Sequence, residues 1–173
     1  MTNDRLDRWN ELPAQAAAEA VLPCNGSTAW ADGLAAKRPV ADEASLLALS
    51  DAIWSSLTAD DWQQAFDSHP RIGERKAKAA TDSSLKWSSQ EQSKAMAADS
   101  KKDSAAALAE GNAAYEAKFG RIFLICATGK SAAEILASLH QRLNSTPEAE
   151  LLEAAEQQRQ ITQLRLRRWL GEP

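Results

Sequence analysis

Between Leu46 and Leu57 the apolar residues Leu46, Leu49, Ile53, Trp54 and Leu57 recur at steps of three and four. This is the interval at which one stripe of an α-helix returns to the same side. A half-buried strand would alternate every second residue, so this segment commits the chain to packing helices. The punctuation agrees: Gly (7) and Pro (6) are scarce among 173 residues, whereas sandwiches and barrels need many turns built from both. The expectation is an all-α fold, a single compact multi-helix bundle domain over residues 1–173, a length that fits one core. Hydrophobic residues at 44% and charged residues at 25% exclude wholesale disorder.

Helix boundaries follow from caps, because a Ser, Thr or Asp oxygen accepts from amides left unpaired in a first turn. One helix or a pair is expected from Asp4 to Leu22, broken by Leu22-Pro-Cys-Asn-Gly26. Ser27 caps a short helix ending near Arg38-Pro39, and Asp42 starts the next. Thr58 with Asp61 has capping-box spacing before a helix carrying Trp62 and Phe66, which must stop at His69-Pro70 because proline disfavours a helical predecessor. Arg75 to Lys86 is polar without an apolar stripe and reads as a mobile loop. Helices are expected from Ser88 to Met96 and from Ser104 to Phe119, the latter ending at Gly120. Ile122 to Ala127 is an apolar run that suits a buried strand or a buried helical turn. Ser131 with Glu134 precedes the apolar series Ile135, Leu136, Leu139 and Leu143, and Pro147 opens a last helix running to about Leu170.

Composition also removes partners. A net charge of −4 and a pI near 5.3 lack the basic footprint of nucleic-acid binding. No apolar run approaches the roughly 20 residues of a membrane span. The polar start Met1–Arg5 lacks the apolar region of a signal peptide, and Gly171-Glu172-Pro173 is not a peroxisomal address, so a cytoplasmic location is expected. Cys24 and Cys126 read as reduced, buried thiols. With two histidines and two scattered cysteines there is no zinc-ligand spacing, and no metal is expected.

Three constellations carry chemistry. In His69-Pro70-Arg71-Ile72-Gly73 a side chain that titrates near neutrality sits at a helix exit between residues that fix a turn; alone, it equally suits a cap. Ser88-Ser-Gln-Glu91-Gln92 gathers a hydroxyl, a carboxylate and an amide at one helix start, where free amides also favour anions; alone, it suits a surface cap. On the last helix, at about 100° per residue, Leu151, Ala155, Ile161, Leu166 and Trp169 define an apolar arc that includes Arg165. A buried guanidinium needs an internal glutamate or an anionic ligand, and both readings stand. Thr128-Gly129-Lys130-Ser131 lacks the earlier glycine of a phosphate-binding loop, since position 124 is Leu. His140 lies at the edge of an apolar face and suits a surface role. Glu148, Glu150, Glu153 and Glu156 read as a solvated face.

Cys24, Ser27 and Trp30, Arg38-Pro39, Trp54, Asp61-Trp62, the His69–Gly73 string, Ser88 with Glu91-Gln92, Asn112, Tyr115, Lys118-Phe119-Gly120 and Leu164-Arg165-Leu166 together resemble the 2-oxo-4-hydroxy-4-carboxy-5-ureidoimidazoline (OHCU) decarboxylases. The resemblance spans nearly the whole chain. It implies an all-α homodimer that decarboxylates a small-molecule substrate to (S)-allantoin in urate breakdown, without metal or organic cofactor. It also implies catalytic roles for His69 and Glu91, substrate binding by Arg165, and substrate contacts from Pro70, Ser88, Gln92 and Phe123, Leu124, Ile125, Cys126 and Ala127. Position 128 is Thr where the family often has Arg, so no role is carried to it. The competing reading is a non-enzymatic helical interaction module with Arg165 paired internally.

Overall fold

The computed structural model describes residues 3–71, 87 and 101–171, and among these every regular element is helical. Backbone contacts group the chain into two units, one of residues Met1–Ala65 with Arg159–Pro173 and one of Phe66–Gln158. The expected segments Arg75–Lys86 and Ser88–Met96 lie outside the described residues; Trp87, between them, is helical and buried.

The first unit holds α1 (Asp4–Glu11), α2 (Ala14–Val21), a 3-10 turn at Leu22–Cys24, α3 (Thr28–Ala36), α4 (Glu43–Ser56), most of α5 (Ala59–Asp67) and the end of α8 (Pro147–Gly171). Caps set these boundaries. Asn3 accepts from the amides of Arg5 and Leu6, Ser27 from Trp30 and Asp42 from Ser45. Thr58 and Asp61 exchange bonds, each side chain accepting from the other's amide at 3.2 Å; this is the reciprocal capping box that their spacing predicts. Arg38 donates to the carbonyls of Trp9 at 2.8 Å and Leu12 at 2.6 Å, a second donor for the Trp9 carbonyl, which also accepts from the Leu12 amide at 3.2 Å.

Tryptophans are the large pieces of this core. Trp9 is buried edge-on to Trp169 at 6.0 Å between ring centroids. Its indole N–H reaches the Ala17 carbonyl at 2.8 Å, while Trp30 donates to Ser50 Oγ at 3.1 Å. Each ring thus buries its apolar body and keeps its one donor paired.

The second unit contains α6 (Lys101–Phe119), α7 (Ala132–Arg142) and the beginning of α8. Leu108, Tyr115, Phe123, Ile125, Ala127, Ile135 and Leu139 form its core; burying a Leu, Ile or Phe contributes about 1.5–3 kcal/mol. Gly111 lets α6 meet α7 closely, since a Cβ there would lie 2.3 Å from Leu139 Cδ2. Gly120 closes α6 with φ +72° and its amide bonded to the Glu116 carbonyl at 2.9 Å, the left-handed cap expected of glycine.

Residues 122–127 are neither strand nor helical turn; they form no regular element, although Phe123–Ala127 are buried. Buried backbone polar groups must still be paired, and here side chains do it. Arg142 donates to the Leu124 carbonyl at 2.7 Å, Gln157 Oε1 accepts from the Cys126 amide at 2.9 Å, and Lys130 Nζ reaches the Cys126 carbonyl at 2.8 Å.

The solvated acidic face also needs correction. Glu148 is exposed, but Glu150 is fully buried, because the same arc of α8 that carries the apolar residues carries this carboxylate. It is matched inside by Arg142 and Tyr115.

Candidate active site

His69 follows α5, its amide bonded to the Phe66 carbonyl at 3.1 Å, so a short turn ends the helix where Pro70 forbids its continuation. His69 and Pro70 are both buried. The imidazole Nε2 lies 2.7 Å from Gln158 Oε1, a fully buried side chain of α8. Beyond the proline, Arg71 donates through Nε to both carboxylate oxygens of Glu116, at 2.9 and 2.8 Å. The ring is therefore held on one side by α8, and the turn that carries it is tied to α6 on the other.

The segment Phe123–Ala127 belongs to the same unit, as do the side chains that hold it. Arg142 lies 4.6 Å from the Phe123 ring centroid, donates to Leu124 and pairs with Glu150. Tyr115 donates its hydroxyl to Glu150 at 2.5 Å. Burial, and then that hydrogen bond and charge, push the phenol well above its ordinary range, so it stays a neutral donor. This group holds the non-helical segment through Arg142 and through the Tyr115 ring, 5.3 Å from that of Phe123.

Arg165 belongs to the other unit. It is fully buried, as the angular count predicts, and donates to the Pro23 carbonyl at 3.2 Å. Ser88, Glu91 and Gln92 lie outside the described residues. Cys24 and Cys126 are buried and not joined in a disulfide, and His140 is exposed on α7.

Sequence reasoning missed Gln158, Gln157 and Arg142, and placed Glu150 on a solvated face. A signal existed for two of them. Gln158 stands seven residues before Arg165, about 20° away on a helix turning about 100° per residue, and Glu150 stands a similar angle from Ile161. The wheel that drew Arg165 inward would have drawn both.

The sequence pattern of OHCU decarboxylases matches residues 10–167. This chain belongs to the OHCU decarboxylase family. It is 35% identical over 143 residues to the Arabidopsis thaliana protein named uric acid degradation bifunctional protein TTL, a match that takes in 83% of this chain. The chain spans 44% of that longer relative. A crystal structure of an OHCU decarboxylase in the presence of (S)-allantoin is 33% identical and covers 87% of this chain and 96% of its own, at a TM-score of 0.75. An (S)-allantoin synthase structure, 20% identical, covers 95% of this chain and 53% of its own at a TM-score of 0.66, a likeness of fold. Membership in a decarboxylase family displaces the reading as a non-enzymatic helical module.

Proposed function

We propose that the chain is a carboxy-lyase that converts OHCU to (S)-allantoin in urate breakdown. The observation that carries this reading is the family match across residues 10–167 together with a buried His69 whose ring is held at a helix exit. The carbon that loses carbon dioxide lies beside a ring imine, which accepts the electron pair released when the carbon–carboxylate bond breaks. The substrate supplies its own electron sink, so the protein's work is to orient it and to move protons.

In this reading His69 is the proton-transfer group and Glu91 polarises it. Arg165 binds the anionic substrate through a planar fork of donors. Pro70, Ser88, Gln92 and Phe123–Ala127 contact the substrate, the last as a shelf held by Arg142 and Gln157. Proton delivery from one face sets the handedness of the product. The reading needs neither metal nor organic cofactor and places a homodimer in the cytoplasm.

The test generates the intermediate from urate with an oxidase and a hydrolase and follows allantoin chirality by circular dichroism. Rapid formation of the (S) product is expected, and slow racemic decay unchanged by the protein would overturn the assignment. His69→Asn should fold with parent-like thermal stability yet lose about a hundred- to ten-thousand-fold in turnover, the usual contribution of a general acid–base group. Parent turnover in both His69→Asn and Glu91→Gln would remove the proposed proton relay.

A further inference from the structure

We propose that Gln158 is a positioning residue that fixes the tautomer of His69, so that Nδ1 is the nitrogen that exchanges the proton of the reaction. The inference rests on the reading of His69 as the proton-transfer group, and adds which of its two nitrogens acts.

A neutral imidazole carries one N–H donor and one lone pair, and the partner of one nitrogen determines the role of the other. Nε2 faces Gln158 Oε1 at 2.7 Å. An amide oxygen only accepts, so Nε2 must carry the hydrogen and Nδ1 the lone pair. The pair is sealed from water, with Gln158 at 0% and His69 at 6% exposure, where an unmatched donor or acceptor is costly. Gln158 is neutral, so it selects the tautomer while the charge that stabilises the imidazolium comes, in the proposed reading, from Glu91.

The frame around the pair is firm. Next to Gln158, Gln157 accepts from the Cys126 amide and donates to Glu153 at 2.8 Å. Glu150, two turns earlier on α8, is paired with Arg142. On the histidine side the Arg71–Glu116 bond fastens the following turn.

The arrangement also fits a full proton cycle. Taking a proton at Nδ1 breaks the donor's bond to hydrogen, forms Nδ1–H and makes an imidazolium, whose Nε2–H still donates to Gln158. Releasing that proton from Nδ1 restores the neutral ring. The Nε2–Gln158 bond therefore persists in both protonation states, and no reorganisation is needed there as the charge appears and disappears.

The test uses nitrogen-15 labelled histidine in the full chain, which has only two histidines; exposed His140 serves as the internal reference. With the ring neutral, His69 Nε2 should show a protonated, pyrrole-type resonance and Nδ1 an unprotonated, pyridine-type one. Gln158→Leu should move both nitrogens towards the average of two tautomers and lower kcat by about 10- to 100-fold, the size of one lost buried hydrogen bond, with a much smaller change in KM. Gln158→Glu, which restores an acceptor oxygen, should keep Nε2 protonated. A pyridine-type Nε2 in the parent protein would overturn the proposal, as would Gln158→Leu with unchanged resonances and unchanged kcat. The parent resonance decides the matter even if the leucine variant fails to fold. Because the measurement needs no substrate, a fixed tautomer in a protein that does not make (S)-allantoin would sink the catalytic reading and leave the tautomer assignment standing.

Discussion

In the unit of residues 1–65 and 159–173, the buried donors of Trp9 and Trp30 end on a carbonyl and a hydroxyl, and Asn25 donates to Thr162 at 3.0 Å. In the unit of residues 66–158, the core encloses an ion pair with a phenol beside it, Arg142, Glu150 and Tyr115, whereas the buried guanidinium of the first unit, Arg165, donates to the Pro23 carbonyl at 3.2 Å. Neutral bonds of the first kind are worth about 0.5–1.5 kcal/mol each. A buried ion pair contributes little net stability when whole, yet removing one partner strands a charge in a poor solvent. The two units should therefore fail differently. The second concentrates its vulnerability in one triad, next to the segment expected to touch substrate.

The comparison breaks most visibly at Arg142→Met, which should cost about 3–5 kcal/mol by leaving Glu150 uncompensated; chemical denaturation measures this. A loss no larger than that of Trp30→Phe would mean the triad is not ionic in its effect. Tyr115→Phe comes next, at about 1–3 kcal/mol for a buried acceptor losing its donor. It also carries a pH signature. Because the folded phenol is pushed above its ordinary value of 10.0, its contribution is fully present below that value and is lost as pH rises towards the folded one. The parent should weaken in alkali above about pH 10, and the Phe variant should weaken less; parallel pH curves would refute this.

Packing sharpens the contrast between the units. A Cβ at Gly111 would stand 2.3 Å from Leu139 Cδ2, whereas one at Gly33 would stand 3.1 Å from Ile53 Cγ2. Gly111→Ala should destabilise by about 1–3 kcal/mol through overpacking. In Gly33→Ala a few tenths of an ångström of movement is offset by the helix preference of alanine, about 1 kcal/mol over glycine, so its midpoint should stay close to the parent's. Equal losses in both would erase the distinction. The smallest effect is expected at exposed Asp42, whose carboxyl is held below its ordinary range mainly by the Ser45 amide. Its stabilising effect is present above the unfolded carboxyl value and is lost as pH falls through the lower folded one. Asp42→Asn, which keeps a capping oxygen, should match the parent near neutrality and lose stability less steeply in acid.

Much of the helical framework was legible because caps are local. Ser27, Asp42, Thr58 with Asp61, and Ser131 act on amides three residues away, within reach of reading the sequence alone. Arg165 was legible for another reason: angular position on a long helix is also a local property. Residues 122–127 were not legible, because what holds them open is supplied in part by Arg142 and Gln157, far along the chain. Glu150 was misread by grouping it with its acidic neighbours rather than placing it on the wheel. Gln158 escaped because a glutamine among apolar residues announces neither charge nor chemistry until its partner is known.

The side-chain anchoring of the segment around Cys126 has a consequence for amide exchange with deuterated water. In a helix, an amide near an end exchanges by fraying of its own turn. The Cys126 amide is instead covered by Gln157, 31 residues away in sequence. Its exchange should follow the detachment of α8 from this segment, making one backbone hydrogen a reporter of whether the segment proposed to contact substrate is held in place.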